Sequence, residues 1–432
     1  MEAGQAGGML AARAPLSRVW YNTKVKEPAQ TAPCTHLALS GFQQAATALL
    51  RGCTMASGIE LQQVGTRRGL ETFIRFPWRV YRGDRNWVPP LLSDRRSYLT
   101  PAKNLQLREK GLALFLARRR RETVGTIAAV LDLREQAGAD QRVGIFGFFE
   151  VLDDYPAAEC LLDAARAWLK TQGALTMRGP MCFTDNECPG VLVEGADCPP
   201  VMLAAHTPPY YRAFLERYGM QKYDDVFAWR AFRSQIGEDL ECIPELIRRV
   251  AHAAQQHGIT VRKLRPDRWD EEVALACHLF NVTLSHLPQH VSLTEEEFRH
   301  FADPLRSIVN PDLALFAELS GQVVGFCVSV PDVNRALIHL NGRLFPLGWL
   351  RLWREVPRID VLTFKLMGVL PEYRLRGVDA LLFVESLRAM MARHYQWLDG
   401  SLTSERNVMV NLLAERFGAE RYKHYRIYEL AV

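Results

Sequence analysis

The spacing that says most about chemistry lies in Val369-Leu370-Pro371-Glu372-Tyr373-Arg374-Leu375-Arg376-Gly377-Val378-Asp379-Ala380-Leu381-Leu382. An apolar strand stops at Pro371, a short basic loop with one glycine follows, and an apolar-periodic helix begins. The first N–H groups of a helix have no partner inside it, and the helix dipole is positive there. Such a turn therefore receives an anion. Arg374 and Arg376 add charge, and Gly377 lets a phosphate come close to the backbone.

The elements that must position this turn form an internal repeat, two segments about 200 residues apart with one pattern. Ala113-Leu114-Phe115 leads to Val124-Gly125, and Ala314-Leu315-Phe316 leads to Val324-Gly325. Each is a strand, a polar turn and a second strand, which is a β-hairpin. Farther on, Glu216-Arg217-Tyr218-Gly219 precedes Lys222-Tyr223, and Glu415-Arg416-Phe417-Gly418 precedes Arg421-Tyr422 at the same spacing. In each copy a helix ends at a glycine and a Tyr-rich strand follows. Between these landmarks the first copy has a strand over Gly144–Val151, a helix over Pro156–Thr171 and a strand over Leu175–Arg178. The second has Val361–Leu370, Gly377–Tyr395 and Trp397–Gly400. Pro244–Gly258 opens the second copy as a helix and Ile259–Leu264 is its first strand, so the boundary falls near residue 235. The expected organisation is a tandem α/β protein with domains over 55–235 and 236–432.

Composition narrows the class. Hydrophobic residues make 48% and charged residues 23% of the 432, which excludes wholesale disorder and fibrous folds. No apolar run approaches the ~18 residues that span a bilayer. The net charge of +5 suits acidic small molecules or a membrane surface as well as nucleic acid. Nine cysteines without a CxxC pair read as a reduced, cytoplasmic protein. Cys182, Cys188, Cys198 and His206 match no compact zinc spacing, and no metal site is expected. Residues 1–54 are rich in Ala, Gly, Thr and Gln, and a new pattern begins at Met55, where Ile59, Leu61 and Val64 alternate and Leu70, Phe73 and Ile74 follow at helical spacing. Residues 1–54 are read as a flexible extension or a start codon assigned too early.

The string around Arg374 resembles motif A of the GNAT acyltransferases, [QR]-x-x-G-x-[GA], whose loop grips the pyrophosphate of coenzyme A. Arg374 and Gly377 match; Asp379 stands where the second Gly or Ala belongs. A carboxylate beside a pyrophosphate is unfavourable unless it turns away or caps the helix. The resemblance implies two tandem GNAT-like domains, the first degenerate because Val151-Leu152-Asp153-Asp154-Tyr155-Pro156 replaces the basic loop. It implies acyl-CoA as co-substrate, held by Val369, Leu370, Arg374, Leu375, Arg376, Gly377, Val378, Asp379 and Ala380, with Asn407 on the pantetheine arm. Where the family often has a Tyr that protonates the leaving thiolate, this chain has Ala414, so Tyr425, Tyr428 or water must serve. Amide formation needs a neutral amine, and hence a nearby base. Glu405 is the first choice and Asp332 the second.

Together with Phe76-Pro77-Trp78-Arg79-Val80-Tyr81, Gly147-Phe148-Phe149-Glu150, Pro331-Asp332-Val333-Asn334 and Asn341-Gly342-Arg343-Leu344, these residues resemble a bacterial GNAT-like family, some members of which look like ceramide synthases. That implies an amine acceptor of long-chain or sphingoid type. Asp185, Asn186, Glu187, Asn334, Asn341 and Arg343 are the acceptor-site residues expected. The insertion after Val330 carries Arg343-Leu344-Phe345-Pro346-Leu347-Gly348-Trp349-Leu350-Arg351-Leu352-Trp353-Arg354. Its Leu, Trp and Arg content suits either a helix in a bilayer interface, giving a peripheral contact at the inner membrane through 344–354, or a helix packed across the domain groove. Two other functions compete: a non-catalytic pseudo-acyltransferase that binds CoA, lipid or a protein, and aminoacyl transfer from tRNA. The second needs a concentrated basic face, and Arg118 to Arg121 is one short run, so no nucleic-acid partner is expected.

Overall fold

The computed structural model describes residues 58–432 apart from 108–109, 133–141, 184–186, 286–291, 304–305 and 307–308. The expected extension over 1–54, Met55, and the acceptor-site residues Asp185 and Asn186 lie outside the described residues.

In the first half the alternation near Ile59 forms β1 (Glu60–Gln63), and the helical spacing after it forms α1 (Arg67–Arg75). The Thr66 hydroxyl accepts the Gly69 N–H at 3.1 Å and starts that helix. α2 (Leu92–Tyr98) follows. The expected hairpin is β2 (Lys110–Arg119) and β3 (Glu122–Asp132), turning through Arg120 and Arg121 at positive φ. β4 (Val143–Val151), α3 (Tyr155–Thr171) and β5 (Thr176–Gly179) make the strand–helix–strand unit. β6 (Val191–Glu194), α4 (Tyr210–Arg217) and β7 (Gln221–Phe232) end the half.

The second half repeats the plan. α5 (Glu245–Gln256), β8 (Ile259–Lys263), α6 (Trp269–Leu284) and α7 (Glu295–Ala302) lead to the hairpin β9 (Ala314–Leu319) and β10 (Gln322–Pro331). The insertion carries α8 (Gly348–Glu355). β11 (Val361–Val369), α9 (Val378–Met391), β12 (Trp397–Ser404), α10 (Val408–Arg416) and β13 (Glu420–Ala431) complete the chain.

All strands join one sheet in the order β1-β2-β3-β4-β5-β13-β7-β12-β11-β10-β9-β8, with β6 on β13. The two terminal strands are exchanged. β7, from the first half, pairs with β12 of the second, and β13 pairs with β5 of the first. β7 and β13 then pair with each other and stitch the halves together. A large apolar core lies under α3 in the first half, and another under α5 and α9 in the second.

Two irregularities recur in both halves. The central parallel pair is short: β4 meets β5 only over Val143–Ile145, and β11 meets β12 only over Val361–Thr363. Beyond those residues the strands part. Next to each split the hairpin partner slips register, between Thr126 and Ala128 in β3 and between Val328 and Ser329 in β10. Such bulges bend a strand and re-aim its side chains.

Candidate active site

Between β11 and α9 the chain passes through buried Leu370, one tight turn over Pro371–Tyr373, and Arg374 to Gly377. Val369 before the turn is half-buried. Arg374 donates from Nη2 to the Thr283 carbonyl at 3.0 Å, which ties the loop to α6. The Arg376 guanidinium lies 5.2 Å from the centre of the Tyr373 ring. Leu375 is fully exposed at a φ of 61°. Gly377 is the N-cap of α9 at a φ of 78°, and the helix starts without a side-chain cap among the described residues.

A methyl group at Gly377 would sit 2.8 Å from Val250 Cγ1 and 2.9 Å from the Val250 carbonyl on α5. The glycine is therefore required by its left-handed backbone and by the close approach of α5. The expectation that its missing side chain makes room for a phosphate is corrected: that space belongs to α5. Asp379 is exposed and does not cap the helix; Val378 is buried and Ala380 half-buried.

α10 buries none of its residues. Asn407 caps it, its Oδ1 accepting the Val410 N–H at 3.4 Å. Asn411, which no motif pointed to, fastens the helix by accepting from Trp229 Nε1 at 3.0 Å and donating to the Ser404 carbonyl at 2.9 Å. Phe364 of β11, Phe383 of α9 and Phe417 after α10 stack edge to face, with centroids 5.9 Å and 5.8 Å apart. Val408, Met409, Leu412 and Leu413 remain exposed.

Where β11 and β12 part, a buried polar cluster forms. Asp332 and Asp399 are both fully buried. Asp332 Oδ1 accepts the Met202 N–H at 2.9 Å and the Asn334 N–H at 3.3 Å. Arg335 Nε is 3.0 Å from Oδ2 but does not point a hydrogen at it, so this oxygen has charge compensation without a hydrogen-bond donor among the described residues. Burial, with the charge of Asp399 adding to it, pushes the Asp332 carboxyl up to about 6 against the pull of Arg335 and the Met202 N–H. Asp399 accepts from Tyr422 Oη at 2.7 Å and from the Ser401 hydroxyl. The Tyr425 phenol is fully buried and has no hydrogen-bond partner among the described residues. Burial and the charges of Asp399, Cys188 and Cys198 hold it well above the usual phenol range, so it keeps its proton.

The other expected residues are dispersed. Glu405 follows β12 directly, but its Oε2 accepts from Lys222 Nζ at 2.7 Å and its Oε1 from the Asp225 N–H at 3.2 Å. Tyr428 donates to Glu216 at 2.9 Å. Asn334 donates to the Pro200 carbonyl at 3.0 Å, Asn341 accepts from Trp78 Nε1 at 2.7 Å, and Arg343 is exposed. Glu187 accepts from the Tyr98 hydroxyl, and burial raises its carboxyl. Asp399, Lys365 and Tyr422 belong to the cluster and were missed. One signal was available for Lys365, the one charged residue of the largely apolar β11; Asp399 sits in a strand that also carries Ser401, Thr403 and Ser404 and does not stand out.

The first-half counterpart is closed. Only Leu152 to Asp154 separate β4 from α3, and Asp154 caps that helix by accepting the Ala157 N–H at 3.4 Å, with Arg119 3.0 Å away. Tyr211 fills the split beside β4, accepting the Val151 N–H at 2.8 Å and donating to Glu150 at 2.9 Å.

Two units of this plan, each with a split central strand pair and a helix starting beside it, define a tandem GNAT fold. Two solved structures share it: the GCN5-related glucosamine N-acetyltransferase region of a fungal multi-domain β-N-acetylglucosaminidase and a tandem GNAT protein from the clavulanic acid biosynthesis pathway. The TM-scores are 0.53 and 0.51 and the identities 14% and 11%, over 86% of this chain in each case. The chain covers 38% of the former protein and 98% of the latter. No protein-family model matches the sequence. Protein YghO of Escherichia coli is 36% identical over 371 residues, 84% of this chain and 93% of that protein. The bacterial ceramide synthase of Caulobacter vibrioides is 33% identical over 376 residues, 85% and 96% respectively. The chain belongs to the GNAT-like family that includes these two proteins.

Proposed function

We propose that the protein is an acyl-CoA-dependent N-acyltransferase whose acceptor is a long-chain or sphingoid-type lipid amine. The observation that carries this reading is the N-terminus of α9, which Gly377 starts without a side-chain cap and which Arg374 and Arg376 immediately precede. The diphosphate would rest on the backbone from Val369 to Ala380, with the pantetheine arm along the Phe364, Phe383 and Phe417 rings near Asn407. Asp332 takes the base role in preference to Glu405, because both Glu405 oxygens already hold donors and one Asp332 oxygen holds none among the described residues. Tyr425, whose phenol has no hydrogen-bond partner among the described residues while that of Tyr428 is engaged, donates the proton to the leaving thiolate.

The lipid acceptor is supported by the ceramide synthase relative and by the insertion that begins at Asp332. In the insertion Phe345, Leu347, Trp349, Leu350 and Trp353 are exposed, as are Arg343, Arg351, Arg354 and Arg358, and α8 buries nothing. This is the make-up of a helix that lies on a bilayer, at the cytoplasmic face of the inner membrane. Among the described residues no helix is long and apolar enough to cross one. Asn334 and Asn341 hold the insertion against the first half, where Glu187 accepts from Tyr98; Glu187, Asp185 and Asn186 stay the acceptor-site residues of this reading.

The test is thiol release from palmitoyl-CoA given sphinganine, in the presence of anionic vesicles. Wild type should turn over, and R374A/R376A should raise the donor KM by about tenfold or more through lost phosphate contacts. Saturable CoA binding without turnover on any long-chain amine would make the protein a non-catalytic binder instead.

A further inference from the structure

Lys365 is the residue left over where β10 and β11 slip register: Val328 faces Leu366 and Ser329 faces Phe364. It lies just past Thr363, the last β11 residue paired with β12, and so at the mouth of the split. Its side chain is 11% exposed, and Nζ donates to the Met202 carbonyl at 2.9 Å. The Asp399 carboxylate is 3.9 Å away. Buried ammonium groups are ordinarily matched directly to a carboxylate. Here the direct partner is a neutral carbonyl.

The same Met202 gives its N–H to Asp332. One residue of a first-half strap thus has both backbone polar groups gripped by two buried, opposite charges of the second half. Other second-half side chains also hold the strap by its carbonyls, Lys423 at Cys198 (2.7 Å) and Asn334 at Pro200 (3.0 Å).

We infer that Lys365 is a catalytic residue that receives the acyl carbonyl oxygen as it becomes an oxyanion, its place held by the Met202 carbonyl until substrate displaces the strap. The inference rests on the N-acyltransferase reading. The amine lone pair bonds to the thioester carbon, and the C=O pair moves onto oxygen, where the Lys365 N–H groups meet it. The amine proton passes to Asp332. The oxygen pair then re-forms C=O, the C–S bond breaks and the thiolate takes the Tyr425 proton; as product leaves, Asp332 gives its proton to solvent and the Tyr425 phenolate takes one back from it. A fixed cation in a water-excluded site stabilises the developing charge without reorganisation. Burial weakens the hold of Lys365 on its proton, while Asp399 and Asp332 work to keep it.

The deciding experiment measures kcat and KM against pH for wild type, K365M and K365R with palmitoyl-CoA and sphinganine. K365M should lose kcat by roughly 10²- to 10³-fold with the donor KM within about threefold of wild type. Wild-type kcat should fall at alkaline pH as Lys365 deprotonates. K365R should keep activity and lose that alkaline limb, because a guanidinium does not deprotonate there. A lysine that only clamps the strap would leave the limb in place. K365M turning over like wild type, or K365R retaining the limb, overturns the inference; should K365M not fold, the K365R profile decides alone. Absence of any thioester turnover in wild type would instead overturn the N-acyltransferase reading itself.

Discussion

The two halves carry the same groove, once filled and once open. At matching distances before the helix-ending glycine, Tyr211 of α4 is 0% exposed where Val410 of α10 is 42% exposed. Phe214 is buried where Leu413 is exposed. Asp154 closes the helix start in the first half, and Gly377 leaves it uncapped in the second. A strand split exposes backbone groups that must find partners. In the first half the protein supplies them itself, through the Tyr211 hydroxyl on the Val151 N–H. The first half thus fills this place with its own side chains where the second keeps apolar residues exposed, and the exchange of β7 and β13 makes each half depend on the other.

The sharpest way to break this comparison is Asp332→Asn. Turnover should fall by about 10²- to 10⁴-fold, the usual worth of a general base. An equal loss for Glu405→Gln with D332N near wild type would return the role to Glu405. The wild-type rate should rise with pH through about 6, as the Asp332 carboxyl ionises.

Next in size is a matched pair read by denaturant melts. Tyr211→Ala should destabilise by about 3–5 kcal/mol, as large buried aromatics do, while Val410→Ala should cost less than about 1 kcal/mol. Similar losses at both sites would mean that the second groove is packed like the first.

Glu150 sharpens the contrast by pH. Burial pushes its carboxyl up to about 7 in spite of hydrogen bonds from Tyr211 and Tyr81. An acid with a raised folded value binds more protons folded than unfolded, so its contribution is largest below its ordinary range, near 4.5, and is lost as pH rises through about 7. E150Q should remove a fall in stability on the order of 3 kcal/mol between pH 4.5 and 8. A slope unchanged by the substitution would contradict the burial argument.

The smallest effect is expected at Asp379. D379A takes a negative charge from the first turn of α9 and should tighten CoA binding by about 0.3–1 kcal/mol, measured calorimetrically at low salt. Weaker binding would place the diphosphate elsewhere.

Much of this was legible in the chain. Apolar alternation and the Gly-terminated helices gave the repeat, and the run from Val369 to Leu382 gave the helix start beside the split. The strand exchange was not legible, because Lys222-Tyr223 and Arg421-Tyr422 carry the same pattern and either strand satisfies either edge. Nor was the cost of placing Gly377 against Val250, since no sequence spacing reports how closely α5 approaches. Glu405 looked free because its partner Lys222 is far away in sequence.

By itself the sequence determined the local periods, the turn residues and the absence of an acid at Ala414, since these depend only on neighbours along the chain. Among the described residues, tertiary structure decided which carboxylate is buried and short of a donor, which tyrosine lacks a partner, and that Met202 of one half grips the polar cluster of the other. Burial and charge pairing are set by residues distant in sequence, and only the folded sheet brings them within reach.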